Sequence, residues 1–275
     1  MEPLLSMMII KPLHSHITVP VILKNYNEKR TMHLPFPVVQ FSLDRIPLQG
    51  DKRKENSMKK HIVCFGDSNT HGYCPCPEDC ADHGNRFNEE ERWTSLLQKG
   101  LGDEYLVHEE GLNSRTTVFE DPLGEGLSGI SAIRQVMLTH AEVDLLIIML
   151  GTNDCKERFS ASPYVIAQGL GRVIEKAKAI PEAWHLGFPN ILVIAPPAIR
   201  EEMKKHPVYG AMGPEAIEKS RGLAKQYAFM CLNERVTFLD AGGTAEMNSF
   251  DGMHLTRKGH AQLAEKLLPV VKNMV

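Results

Sequence analysis

Two short words in this chain hold the residue types that serine acyl transfer requires. Ser68 stands in Phe65-Gly66-Asp67-Ser68-Asn69, directly after the apolar run Ile62-Val63-Cys64, and Asp251-Gly252-Met253-His254 lies near the other end. A serine hydroxyl is a poor nucleophile until an imidazole takes its proton, and the imidazole is an effective base when a carboxylate orients it. Ser68, His254 and Asp251 are therefore the candidate nucleophile, general base and orienting acid. Asp and His three apart can share one side of a turn. Alone that spacing is weak evidence, because a capped loop gives it about ten times as often as a catalytic pair.

Acyl transfer also needs donors for the tetrahedral oxyanion, each worth roughly 2.7–4 kcal/mol when preorganised. Gly151-Thr152-Asn153-Asp154 offers the Asn153 amide, and Glu109-Glu110-Gly111-Leu112-Asn113-Ser114-Arg115-Thr116-Thr117 offers the backbone N–H of Ser114. The N–H of Ser68 itself is the third candidate. Each word is an ordinary turn sequence by itself. Their order along the chain carries more weight.

The elements that must position these residues are legible as alternating apolar patterns. Strands are expected at 61–65, 104–108, 143–150, 190–195 and 235–239, and helices at 92–101, 127–140, 163–180, 214–232 and 256–273. The unbroken apolar run 145–150 suits a strand covered on both faces. Strands alternating with helices predict a three-layer α/β/α sandwich around a five-stranded parallel sheet. Sites in such sheets lie beyond the carboxyl ends of the strands, where Ser68, Asn153, Asp251 and His254 would collect. Thr256 is a fair N-cap for the last helix, which puts His254 just ahead of it.

Gly66-Asp67-Ser68-Asn69, Gly111 to Thr117, Gly151-Thr152-Asn153-Asp154 and Asp251-Gly252-Met253-His254 together resemble the four ordered blocks of the SGNH (GDSL-type) serine hydrolases. Flanking words such as Arg92-Trp93-Thr94, Pro196-Pro197 and Phe238-Leu239-Asp240-Ala241-Gly242 resemble its arylesterase/acyltransferase branch. The similarity covers about 61–275. It implies a flavodoxin-like fold, a serine esterase or acyltransferase acting on small esters without a cofactor, and a homo-oligomer that buries the mouth of the site. Ser68, Asp251 and His254 would be catalytic, with Ser68, Ser114 and Asn153 forming the oxyanion hole. The family's name motif has Leu where this chain has Asn69, a change expected to be tolerated because that residue neither attacks nor donates to the oxyanion. The family often has Gly at the place of Ser114, whose backbone N–H serves equally while its Cβ narrows the acyl pocket. A carbohydrate O-deacetylase is the runner-up, and a non-catalytic flavodoxin-like binding module would leave the ordered blocks unexplained.

Other residues invite competing readings. His71, Cys74, Cys76, Cys80 and His83 crowd one loop, but Cys-Pro-Cys-Pro is too stiff for a familiar zinc bite, so a substrate loop or oligomer contact is preferred to a metal site. Cys155 reads as a thiol at the pocket rim, His260 as a surface or half-buried helix residue, Glu109 and Glu110 as solvated acids, and Trp93 as core at least as readily as substrate contact. The Gly66-Asp67-Ser68-Asn69 turn lacks the Gly-rich loop and Lys of a phosphate-binding P-loop.

Composition narrows the classes. The 275 residues are 43% apolar with a net charge of -3, and no basic cluster marks a nucleic-acid footprint, so a small-molecule partner is expected. Six cysteines, two of them in apolar segments, suit a reducing cytoplasm. No stretch approaches the roughly 20 apolar residues of a membrane span. Residues 1–57 contain six prolines and little periodicity, and end in a charged stretch that reads as a linker. They are expected to be a loosely attached extension, with Met58 opening the domain 58–275.

Overall fold

A computed structural model describes residues 58–275; the expectation for 1–57 falls outside them. Five strands form one sheet: β1 (Lys60–Gly66), β2 (Tyr105–Gly111), β3 (Leu145–Met149), β4 (Ile191–Ala195) and β5 (Thr237–Asp240). Every neighbouring pair is parallel, in the order β2-β1-β3-β4-β5. This is the flavodoxin-like order, whose direction of winding reverses between β1 and β3 and opens a crevice at their carboxyl ends.

The helices are α1 (Ser68–His71), α2 (Trp93–Leu101), α3 (Gly129–Thr139), α4 (Pro163–Lys178), α5 (Val208–Met212), α6 (Ala216–Glu234) and α7 (Arg257–Met274). Alternation along the strands divides them between the two faces of the sheet. Val63, Phe65, Leu146, Ile148 and Val193 pack with Ile133 of α3, Leu170 of α4 and Tyr227 of α6. Ile62, Cys64, Leu145, Ile147, Leu192 and Leu239 pack with Trp93 and Leu97 of α2 and with Leu263 and Leu267 of α7. A strand such as Leu-Leu-Ile-Ile-Met is wholly apolar because both of its faces meet helices. The expected α/β/α sandwich is the observed one.

The boundaries depart from expectation in ways that bear on the site. β2 runs through Gly111 because each of its residues pairs with β1, up to Gly66 opposite Gly111. Glu109 and Glu110 therefore belong to the strand rather than to the loop after it. α1 and α5 have no counterpart in the apolar periodicity, since helices of 4 and 5 residues are too short to display one.

Candidate functional site

The strand-to-helix turn after β1 presents Ser68. Asp67 caps α1, its Oδ1 accepting from the Asn69 N–H at 3.0 Å. This turn sits against the end of β2 at a distance that only glycine permits. A Cβ on Gly111 would lie 2.1 Å from the His71 nitrogen and 2.5 Å from the Thr70 carbonyl carbon. A Cβ on Gly66 would meet the Thr70 hydroxyl at 2.0 Å. The two glycines, opposite one another in the sheet, let α1 settle on the strand ends.

His254 arrives from the loop between β5 and α7. Its Nε2 lies 2.8 Å from the Ser68 Oγ, and its Nδ1 lies 2.6 Å from the Asp251 Oδ2. The other Asp251 oxygen accepts from the N–H groups of Met253 and His254 at 2.9 and 3.2 Å. Asn248 closes the loop, receiving the Asp251 N–H at 2.9 Å and donating its amide to the His254 carbonyl at 2.7 Å. Burial opposes ionisation of Asp251, but His254, the Met253 N–H and Asn248 outweigh it and hold the carboxyl down at about 2. An ionised carboxylate only accepts, so the proton between them belongs to Nδ1, and Nε2 is the ring nitrogen turned toward the serine. All three residues are buried, and Ser68 keeps 8% exposure.

The second and third blocks meet beside this chain of hydrogen bonds. Asn153, in the turn after β3, donates one amide hydrogen to the Arg115 carbonyl at 3.2 Å, leaving its second hydrogen available. Asp154 grips the same loop, accepting from the Thr117 N–H at 2.9 Å and from the Thr117 hydroxyl. Burial raises its carboxyl to about 6, against the pull of Thr117. Arg115 donates from Nη1 to the Gly66 carbonyl at 3.0 Å and to the Glu110 carbonyl, and its guanidinium lies over the Phe65 ring at 4.2 Å. The Leu112 N–H reaches the Gly66 carbonyl at 3.1 Å. Ser114 thus stands in a loop stitched to the base of the nucleophile turn. Its φ of 67° lies in the left-handed region, a backbone conformation that suits glycine better than serine. Among the described residues, the N–H groups of Ser68 and Ser114 have no acceptor.

Several side chains that the sequence did not assign to the site shape it. Tyr73 packs edge-on against the His254 ring, with centroids 4.8 Å apart. Asp67 is buried, which raises its carboxyl to about 6, against the pull of the Asn69 N–H and of the nearby Arg115 charge. Asn69 spans from α1 to the His254 loop. Tyr73 and Asn69 occur within a few residues of Ser68, but only the long-range closure of the fold gives them these neighbours.

Three expectations are corrected. Cys155 is not at a pocket rim but fully buried in the core beneath α4 and α6, and burial pushes its thiol far above the usual range. His260 is not at the surface: with 0% exposure it accepts the Trp93 N–H at 3.3 Å, and burial drives it down to about 3, so it is a neutral cap on α2. Glu109 is not a free solvated acid but half-buried, gripped by Arg92 at 3.1 and 2.8 Å and receiving the Ser95 hydroxyl at 2.8 Å. In the Cys/His loop, Cys74 and Cys80 are buried with Phe87 in a small apolar cluster of their own. No group of three His, Cys, Asp or Glu among the described residues is placed to hold a metal ion. No described helix is long and apolar enough to cross a membrane.

Comparison with known proteins gives a consistent set of likenesses. Residues 64–262 match the model of the GDSL-like lipase/acylhydrolase family. Among solved structures, the aryl esterase of M. smegmatis superposes with a TM-score of 0.71 at 34% identity, covering 78% of this chain and 100% of that one. Est24, a carbohydrate acetylesterase from Sinorhizobium meliloti, superposes with a TM-score of 0.70 at 32% identity, covering 79% and 100%. No curated protein matches the chain.

Proposed function

The chain belongs to the GDSL-like lipase/acylhydrolase family, and from that premise we propose that it is a serine esterase hydrolysing short acyl esters of small molecules. The observation that carries this reading is the unbroken Asp251–His254–Ser68 hydrogen-bond chain, 2.6 and 2.8 Å long. In the proposed cycle Ser68 attacks the ester carbonyl while His254 Nε2 takes its proton. Asp251 steadies the imidazolium that results. The oxyanion is received by the Ser68 and Ser114 N–H groups and by the second hydrogen of the Asn153 amide. His254 then returns the proton to the departing alcohol, leaving the acyl group on Ser68. Water, or another alcohol in a transferase mode, attacks that acyl-enzyme with His254 again as base.

Replacing Ser68 with Ala tests the reading directly. Turnover of p-nitrophenyl acetate should vanish, and a serine-directed phosphonate should add its mass to Ser68 of the parent protein only. Full turnover by pure S68A would overturn it.

A second reading shares the chemistry. The likeness to Est24 at 32% identity supports a carbohydrate O-deacetylase. Comparing kcat/KM on acetylated sugars with that on aryl acetates separates the two. We further propose that 58–275 is the catalytic domain, that the protein is cytoplasmic with its six thiols reduced, and that it acts as a homo-oligomer on small esters without nucleic-acid or membrane partners. The family match at 64–262 within 58–275 and the six free cysteines support the first two.

A further inference from the structure

Asn69 is the point at which the nucleophile turn and the base-bearing loop are fastened together. Its side-chain amide donates to the Met253 carbonyl at 3.2 Å, and its Oδ1 accepts from the Leu255 N–H at 2.9 Å. Those groups belong to the residues on either side of His254, so one planar amide brackets the backbone that carries the imidazole. All of it is buried: Asn69 is 2% exposed and Leu255 0%. Among the described residues, these are the only hydrogen bonds between 68–71 and 251–255 besides the Ser68–His254 contact itself.

Asn69 is in turn held from behind. The Trp93 indole donates to the Asn69 carbonyl at 3.1 Å, and the Asn69 N–H is committed to Asp67. Both the donor and the acceptor of the side chain are used in one plane, which suits an amide and no other uncharged side chain of this length. A leucine here would leave a buried carbonyl and a buried N–H without partners. The rest of the His254 loop is laced to itself through Asp251 and Asn248 and to the segment after β4 through Arg200, whose N–H donates to the Gly252 carbonyl at 2.9 Å, but not to the turn that carries Ser68. Asn69 therefore sets the position of His254 relative to Ser68, as distinct from the shape of the loop.

We propose that Asn69 is a positioning residue for the proposed base, fixing the Nε2-to-Oγ distance by clamping both flanks of His254 to the helix that carries the nucleophile. This rests on the roles proposed for Ser68 and His254. Loss of the bracket acts on the proton transfer and leaves ester binding alone, because the Asn69 side chain is buried against the His254 loop. Displacement of a catalytic group by an ångström costs on the order of 10²-fold in rate.

The test compares the full chain with Asn69→Leu and Asn69→Ser in steady-state hydrolysis of p-nitrophenyl acetate, with S68A run alongside. The low-field proton resonance of the His254 Nδ1–H shared with Asp251 is recorded for each folded variant. The expected result is a fall in kcat of about tenfold or more with KM unchanged, together with a broadened or shifted resonance. Serine should recover part of the loss, since its smaller side chain lets water reach both backbone groups. Turnover within twofold of the parent in a folded variant overturns the proposal, as does a rise in KM at constant kcat with the resonance intact. If N69L fails to fold, N69S decides on the same readouts. Activity retained by S68A overturns both this inference and the serine mechanism. An inactive S68A beside an unaffected N69L removes the bracket alone.

Discussion

Asn153 has two amide hydrogens and two tasks. One hydrogen holds the Arg115 carbonyl, and the other is the proposed oxyanion donor. Asn153→Ala should lower kcat by about 10²–10³-fold while KM changes little, because the oxyanion exists only in the transition state. Equal losses in binding would point to a substrate contact. Ser114 offers a separable prediction. Its left-handed backbone costs about 1–2 kcal/mol with a Cβ present, against about 0.4–1 kcal/mol of extra unfolded-chain freedom for glycine. Ser114→Gly should therefore raise Tm slightly and keep kcat, since the donor is the backbone N–H; differential scanning calorimetry and kinetics read both. Ser68, Asn153, Asp251 and His254 were legible because their chemistry is written in residue type and order. Asn69 was not, since its partners Met253 and Leu255 lie 184 and 186 positions away and are backbone groups that any residue would supply. His260 was hidden for a related reason. A histidine on an amphipathic helix looks half-exposed until the amino end of α2 is found resting on it.

At the scale of elements, the site depends on how closely α1 lies on the ends of β1 and β2. Gly111→Ala forces a Cβ to 2.1 Å from the His71 backbone nitrogen, and backbone cannot rotate away as a side chain does. The variant should lose about 1–3 kcal/mol of stability in urea unfolding. It should also lose activity out of proportion to that loss, because α1 carries Ser68. A stable, fully active G111A would show that α1 has room to shift without harm. The long helices and the five strands were readable because two-sided burial of β3 and β4 leaves near-continuous apolar runs. β2 was read short because it is an edge strand of partly buried residues, Tyr-Leu-Val-His-Glu-Glu-Gly, with little apolar pattern beyond Val107. α1 leaves no periodic trace at four residues, so the element that presents the proposed nucleophile is visible only through its cap, Asp67.

For the molecule as a whole, buried titratable groups make stability depend on acid in two opposing ways. His260 titrates at about 3 when folded, chiefly through burial, and near 6.5 when unfolded. Between those values the unfolded chain binds the extra proton, so acidification removes stability. His108, lowered to about 4 by burial and by the neighbouring His140 and His61, acts in the same direction. Asp67 and Asp154, raised to about 6, work the other way: between about 6 and 4 the folded chain binds the proton, and acidification adds stability. Replacing His260 with Gln, which can still accept the Trp93 N–H, removes one destabilising contribution. The fall in Tm from pH 7 to about 4.5 should be smaller in H260Q than in the parent. An equal or steeper fall would show that His260 does not resist protonation. The separation of Ser68 from His254 by 186 positions has a consequence on a different timescale. During synthesis the proposed nucleophile is made well before its proposed base, so no nascent chain ending before His254 can hold the pair. On the proposed mechanism the chemistry is withheld from the growing polypeptide until the loop after β5 docks His254 onto Ser68, so ester turnover would read directly how many chains have folded.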